Sequence, residues 1–172
     1  FEKRHPRIKQ VGLIVRKGLK QDKKRRHKLQ CVVIMLSGSK FGSSINLTKK
    51  SYPYSIEVIG RASPEDNSNK CILYHGKIAN TVDILNKADL LIVNGGYSAV
   101  SEAFYMRKPM IVIPVPGHAE QWVNARIIKE HGVGLIGSEK TLETDLQQAV
   151  IHYNRLKKGY ETLLETENGA KT

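Results

Sequence analysis

Apolar residues in this chain occur in short runs that polar residues do not interrupt. The clearest runs are CVVIML, LLIV and MIVIP, which begin at Cys31, Leu90 and Met110. A strand with one side in solvent alternates apolar and polar residues, so these runs indicate strands that are buried on both faces. The predicted strands span residues 30–38, 54–60, 71–76, 90–93, 109–114 and 133–136.

The stretches between the strands are amphipathic or polar, and most of them predict helices. One predicted helix follows Ser98, and the others span residues 43–50, 77–87, 119–131 and 141–165. Thr141 and the acidic residues after it are typical of a helix start. A break of this last helix is predicted at Gly159, since glycine is a poor helix former.

Strands that alternate with helices predict a parallel sheet, here a Rossmann-like α/β fold with helices on both faces of the sheet. Ligands of such sheets bind beyond the carboxyl ends of the strands, near the point where the strand order reverses. Turns at residues 37–42, 94–98 and 115–121 each follow a predicted strand. If the three turns lie on one rim, they line a single pocket.

Length and charge limit the number of domains and the classes of partner that the chain can have. A chain of 172 residues, 40% of them hydrophobic, can bury one core, so we expect one folded domain. The net charge of +12 favours an anionic partner such as a nucleotide, a nucleic acid or an acidic membrane surface. Much of the excess lies in residues 1–29, which we interpret as a basic linker from a missing N-terminal domain. Residues 30–165 would form the domain and residues 166–172 a disordered tail.

Cysteine usage and hydropathy give weaker indications. Cys31 and Cys71 belong to no CxxC or Cys/His cluster, so buried thiols are expected and a zinc site is not. No apolar segment approaches transmembrane length and no signal peptide is visible. We therefore expect a cytoplasmic location. Peripheral contact with the inner face of a membrane is an alternative, because the basic stretch could bind an anionic surface that carries a lipid-linked acceptor.

The turn Asn94-Gly95-Gly96 is the first candidate site. Adjacent glycines let the backbone turn sharply and let a ligand approach it closely. Ser98 is the predicted N-cap of the next helix, whose unpaired N–H groups and positive dipole end would attract an anion. Glu102 on that helix would face a sugar, because a carboxylate is a poor neighbour for a phosphate.

Residues 88–135 carry an ordered pattern: a strand, a glycine turn, a helix with Glu102, a Lys-Pro strand, P-x-x-x-x-Q-x-x-N-A and G-x-G. This pattern resembles the donor-binding region of GT-B glycosyltransferases. It is closest to the family-28 type, whose members transfer GlcNAc to lipid-linked acceptors in bacteria and, as a two-subunit enzyme, in eukaryotes. The resemblance implies that the chain is the C-terminal half of a GT-B fold.

The resemblance also implies roles for single residues. It implies that Glu102 holds the ribose hydroxyls and that the main chain at Ile78 reads the base edge. Glu120 and Gln121 would hold hydroxyls of the donor sugar, although family members have glutamine where Glu120 stands, and a carboxylate cannot donate. His118 either contacts the sugar or phosphate from the pocket rim or is a solvent-exposed turn residue. The implied diphosphate contacts are Arg16, Ser37, Gly38, Ser39, Gly96, Tyr97 and Ser98.

The implied function is donor binding in an inverting glycosyltransferase that uses a nucleotide-diphosphate sugar, either UDP-GlcNAc or a UDP-hexose. The family's base lies in the N-terminal half, so the catalytic residue stays unassigned, and an acceptor domain or partner subunit would complete the enzyme. No D-x-D motif occurs, so no metal cofactor is indicated. Two alternatives remain. They are one half of a sugar-nucleotide 2-epimerase and, ranked lower because RRM, KH and zinc patterns are absent, a basic nucleic-acid-binding module.

Overall fold

The computed structural model describes residues 12–22, 28–36, 45, 47–48, 51–64, 67 and 69–163. Within these residues, six parallel strands form one sheet in the order β3-β2-β1-β4-β5-β6. The predicted Rossmann-like α/β fold is confirmed. The strands are β1 (Cys31–Met35), β2 (Ser55–Val58), β3 (Ile72–Tyr74), β4 (Leu90–Val93), β5 (Met110–Val112) and β6 (Gly134–Ile136).

The helices are α1 (Val82–Lys87), α2 (Tyr97–Tyr105), α3 (Ala119–Glu130), α4 (Leu142–Ile151) and α5 (Tyr153–Gly159). Helix α1 begins five residues later than the start predicted at residue 77. The side chain of Asn80 accepts a hydrogen bond from the Val82 N–H at 3.0 Å, and this local turn replaces the first helical turn. The helix predicted at 43–50 lies mostly outside the described residues.

Two apolar clusters cover the two faces of the sheet. On β4, Leu91 and Val93 point into a cluster that includes residues of α1, α2 and α3. Leu90 and Ile92 point into the opposite cluster, which contains the buried residues of α4. Burial on both sides explains why β4 shows no polar alternation.

The helix predicted at 141–165 is two helices with an unpredicted turn between them, and α5 ends at Gly159, where the sequence predicts a break. The chain turns at His152, after which Tyr153 packs in the cluster under α4. Tyr160, directly after α5, packs in the cluster on the other face of the sheet. The turn therefore lets the chain cross from one face to the other. Gly159 lies within α5, where a Cβ atom would stand 2.7 Å from the carbonyl oxygen of Gly132, so close packing explains the glycine.

Residues 12–22, which we call the strap, pack against the domain although the sequence assigns them to a linker. Val15 and Leu19 are buried in the same cluster as α1 and α2. The side chain of Asp22 is 7% exposed, and its Oδ2 atom accepts from Lys108 Nζ at 3.3 Å and Lys157 Nζ at 3.0 Å. Burial lowers the pKa of Lys108, and the charge of Asp22 opposes that shift. The boundary at residue 30 stays a prediction, but the strap contributes to the core.

Asp89 fixes the junction of the two central strands. Its side chain precedes β4 and is fully buried. Its Oδ2 atom accepts hydrogen bonds from the N–H groups of Gln30 and Cys31 at 2.9 and 3.0 Å. The N–H of Asp89 donates in return to the carbonyl of Cys31 at 2.8 Å. These bonds pair the start of β1 with the start of β4 and compensate the burial of a carboxylate.

Gly134 in β6 tests how closely α3 packs on the sheet. A Cβ atom there would collide with the carbonyl oxygen of Met110 and lie 2.6 Å from Ile128 Cγ2. Gly134→Ala is therefore expected to lower the free energy of unfolding by about 1–3 kcal/mol, as overpacking typically does. Urea denaturation measures the change. An unchanged midpoint and slope would show that β5 and α3 do not approach Gly134 this closely.

Candidate functional site

The strand order reverses between β1 and β4, so the crevice expected to hold a ligand lies beyond the carboxyl ends of these two strands. After β4 the buried side chain of Asn94 donates to the carbonyl of Ile113 at 3.3 Å and ties the turn to the end of β5. The turn after β1 falls outside the described residues. The diphosphate contacts predicted for Ser37, Gly38 and Ser39 therefore stay predictions.

The fold itself requires Gly95. Its φ of +85° lies in the left-handed region that side chains rarely adopt. A Cβ atom there would also stand 2.8 Å from Val112 Cγ1 and 3.0 Å from the carbonyl oxygen of Gln121. The Asn124 side chain donates to the Gly95 carbonyl at 2.9 Å and holds the turn against α3.

Gly96 differs from its neighbour because the fold does not require it. Its φ of −61° and ψ of 142° suit any residue, and a Cβ atom there would meet nothing within 4 Å. The space beside this backbone is open and lies at the point where the strand order reverses. A glycine without a conformational or packing reason is typical of a position where a ligand approaches the main chain.

Helix α2 begins without a side-chain cap. Its N-cap residue is Gly96, so the prediction that Ser98 caps the helix is wrong; Ser98 is exposed in the first turn. The reason is that the helix already begins at Tyr97. The N–H of Tyr97 donates to Glu120 Oε1 at 3.3 Å, which brings a carboxylate to the positive end of α2. The N–H groups of Ser98 and Ala99 have no acceptor among the described residues.

Glu102 lies one turn further along α2 and is buried, with its side chain 7% exposed. Arg16 of the strap binds it with two parallel hydrogen bonds. Nε donates to Oε1 at 2.6 Å, and the second terminal nitrogen donates to Oε2 at 2.7 Å. These bonds raise the pKa of Arg16 above its usual value, while partial burial opposes the shift.

Thr81 completes this cluster. Its hydroxyl accepts a hydrogen bond at 2.8 Å from the remaining terminal nitrogen of Arg16. Thr81 is buried at the start of α1, and Ile78, the predicted base contact, is 36% exposed three residues before it. Arg16 therefore joins the segment predicted to read the base to the glutamate predicted to hold the ribose.

The turn at 115–121 brings α3 to the same rim. Gln121 Oε1 accepts from the Val115 N–H at 2.8 Å, and the Gln121 NH₂ group makes no hydrogen bond within the described part of the chain. His118 is the N-cap residue of α3 and is exposed, as is Glu120. Gly96, Tyr97, Glu120 and Gln121 thus surround one end of α2, while the sugar roles of His118, Glu120 and Gln121 stay predictions.

The sequence did not single out two residues that hold this site together. Asn124 binds the glycine turn, and its only signal is its place in the P-x-x-x-x-Q-x-x-N-A pattern. Thr81 has no signal in the sequence, because its partner Arg16 is 65 positions away.

A comparison with protein-family models supports the resemblance to glycosyltransferases. Residues 4–153 match the model described as glycosyl transferase family 1. The chain belongs to this glycosyltransferase family. The GT-B glycosyltransferase domain implied by the resemblance is thereby confirmed. The prediction named the family-28 type, whereas the matching model is described as family 1.

The individual relatives share only a minority of their residues with this chain. An uncharacterized glycosyltransferase of Methanopyrus kandleri is 25% identical over 132 residues, which are 69% of this chain and 38% of the relative. An N-acetylglucosamine transferase of Thermosipho melanesiensis, named for UDP-N-acetylglucosamine and a pyrophosphoryl-undecaprenol acceptor, is 33% identical over 95 residues, 54% of this chain and 28% of the relative. The chain thus spans well under half the length of either relative.

Solved structures agree on the fold. The glycosyltransferase SnogD from Streptomyces nogalater superposes with a TM-score of 0.61 at 14% identity, over 87% of this chain and 40% of SnogD. MurG of Acinetobacter baumannii gives a TM-score of 0.57 at 16% identity, over 79% of this chain and 45% of MurG. At this identity the likeness concerns the fold alone.

No group of three or more His, Cys, Asp or Glu side chains within the described residues is arranged to hold a metal ion. None of the helices in those residues is both long enough and apolar enough to span a membrane.

The two adjacent glycines give a matched test of the turn. Gly95→Ala is expected to lower the free energy of unfolding by about 1–3 kcal/mol, because it adds backbone strain and a clash with Val112. Gly96→Ala is expected to change it by less than about 0.5 kcal/mol, since the added methyl group meets no atom. Thermal and urea denaturation of both variants measure the difference. Equal losses would contradict the distinction drawn between the two glycines.

Proposed function

We propose that this chain is the donor half of an inverting glycosyltransferase and binds a nucleotide-diphosphate sugar, UDP-GlcNAc or a UDP-hexose, at the rim between β4 and α2. The observation that carries the proposal is Gly96, a glycine that the fold does not need, next to a helix end where the N–H groups of Ser98 and Ala99 have no acceptor among the described residues. Together they provide an open, positively polarised backbone surface that suits a diphosphate.

The other parts of a nucleotide sugar find matching groups nearby. Glu102 offers carboxylate oxygens for the two hydroxyls of a ribose, and it lies one turn below the proposed diphosphate position. The exposed segment at Ile78 would supply main-chain groups for the base. Glu120 and Gln121 begin α3 next to the α2 terminus, where a sugar attached to the second phosphate would lie.

The names of relatives support the donor class. Relatives from Lachnoclostridium phytofermentans and Thermosipho melanesiensis are named as transferases that use UDP-N-acetylglucosamine. Both names also include a pyrophosphoryl-undecaprenol acceptor, which supports a lipid-linked acceptor for the complete enzyme.

In the proposed mechanism, the helix end stabilises the negative charge that grows on the leaving diphosphate. A base deprotonates the acceptor hydroxyl. The hydroxyl oxygen attacks the anomeric carbon of the donor sugar from the side opposite the diphosphate, which inverts the configuration of that carbon. This base would come from an N-terminal acceptor domain or a partner subunit. The chain alone is therefore expected to bind a donor without transferring its sugar.

Calorimetry with UDP, UDP-GlcNAc, UDP-Glc, UDP-Gal, a TDP-sugar and an oligonucleotide tests the proposal. We expect UDP and at least one UDP-sugar to bind. Gly96→Ala should weaken UDP binding at least about tenfold, because its methyl group occupies the space proposed for the phosphates. The melting temperature of the same variant is the folding control. Tighter binding of the oligonucleotide than of UDP, or unchanged UDP affinity in Gly96→Ala, would overturn the proposal.

Glu120 supplies a second test, because its carboxylate lies at the helix end proposed for the diphosphate. Glu120→Gln removes a negative charge from that end and is expected to raise UDP affinity about two- to fivefold, a typical effect of one charge near a helix terminus. The gain should shrink at high salt.

Glu130→Gln is the matched control, since Glu130 is exposed at the far end of α3, the helix that also contains Glu120. It makes the same change in net charge and should leave UDP affinity unaltered. Equal effects of the two substitutions would indicate a general charge effect and would remove Glu120 from the phosphate site.

A further inference from the structure

We infer that Arg16 is a positioning residue that holds the Glu102 carboxylate for the ribose of the donor and is not itself a contact of the diphosphate. The inference rests on the proposed function and replaces the phosphate role that the sequence resemblance implies for Arg16. It also assigns a ligand-related role to the strap, which the sequence treats as a linker.

Two nitrogens of the Arg16 guanidinium group bind the Glu102 carboxylate, one donating to Oε1 at 2.6 Å and the other to Oε2 at 2.7 Å. A third nitrogen donates to the Thr81 hydroxyl at 2.8 Å. All three nitrogens of the fork are therefore engaged by the protein. Such a planar, bidentate contact fixes the rotation of a carboxylate, which a single point charge does not.

The Glu102 carboxylate can accept further hydrogen bonds beside those of Arg16. An ionised carboxylate has about four acceptor positions on its two oxygens. Arg16 uses one on each oxygen of Glu102, which leaves one on each for a further donor. The 2′- and 3′-hydroxyls of a ribose are two neighbouring donors. Arg16 and a ribose can thus bind Glu102 together, and binding of the sugar need not displace the arginine.

The main chain on both sides of Arg16 is held against the domain. The carbonyl of Gly18 accepts from Asn86 Nδ2 at 3.0 Å, and the Lys20 N–H donates to Asn86 Oδ1 at 2.9 Å. Val15 is buried on the other side of Arg16 along the chain. The strap is therefore fixed to the domain on both sides of Arg16, so its side chain reaches Glu102 from a rigid base, as a supporting group must.

Nucleotides that lack single groups separate the two roles of Arg16. We measure the affinities of uridine, UMP, UDP and 2′,3′-dideoxy-UDP for the unaltered chain and for Arg16→Gln and Arg16→Lys. A positioning role predicts the same loss, about 10- to 100-fold, for uridine, UMP and UDP, because all three carry the ribose diol. It predicts little loss for dideoxy-UDP. Lysine should not restore affinity, since it cannot form the bidentate contact.

A contact with the diphosphate predicts a different pattern. The loss would grow from uridine to UDP, dideoxy-UDP would lose as much as UDP, and lysine would restore much of the affinity. Either this pattern or unchanged affinities in both variants would overturn the inference. If the unaltered chain binds UDP but the Arg16 variants behave normally, the inference fails and the proposed function stands. If the unaltered chain binds no nucleotide, both fail.

A double-mutant cycle with Glu102→Gln adds a readout that a purely structural role would not give. If Arg16 acts through Glu102, Arg16→Gln should cost no further uridine affinity in the Glu102→Gln background. Lys17→Gln is the matched control, because Lys17 is exposed, adjacent and without a hydrogen bond within the described residues. Its uridine affinity should equal that of the unaltered chain. Additive losses in the cycle, or an equal loss in Lys17→Gln, would contradict the inference.

Discussion

The position of the candidate site depends on one buried carboxylate, that of Asp89, at the amino-terminal ends of the two central strands. Asp89 accepts two main-chain hydrogen bonds from the start of β1 and so pairs this strand with β4. The two strands are the point at which the strand order reverses. Their carboxyl ends must then lie side by side, and the glycine turn after β4 opens into the crevice between them. The position of the candidate site is thus a consequence of strand register.

Most of the sheet could be predicted because burial on both faces leaves a local signal. The runs at β1, β4 and β5 are apolar without alternation, and each became a central strand between two apolar clusters. The glycine turn could also be predicted, because two adjacent glycines after an apolar strand are typical of a sharp turn. The sequence could not separate their roles. Only the surroundings show that Gly95 serves the backbone while Gly96 borders open space.

Features that depend on distant partners could not be predicted. The bidentate contact of Arg16 with Glu102 joins residues 86 positions apart, and the resemblance that implies a role for Arg16 places it at the diphosphate. Val15 ends a short apolar run, VGLIV, but basic residues flank this run and Leu19, so the sequence does not predict that Val15 and Leu19 join the core. The helix break at His152 serves a passage across the sheet, which composition does not encode. The end of α5 at Gly159 was predictable from the glycine, but the close packing of this residue against Gly132 was not.

The strap also sets the shortest form of this domain that can be expected to fold. Asp22 lies between Lys108 and Lys157, and both lysines are largely buried. A protein shortened to begin at residue 30 would leave these two ammonium groups facing each other without a carboxylate, and it would uncover the core beneath Val15 and Leu19. Chimeras that exchange the halves of related enzymes therefore need their junction upstream of Leu13, because the segment that looks like a tether belongs to the folded unit.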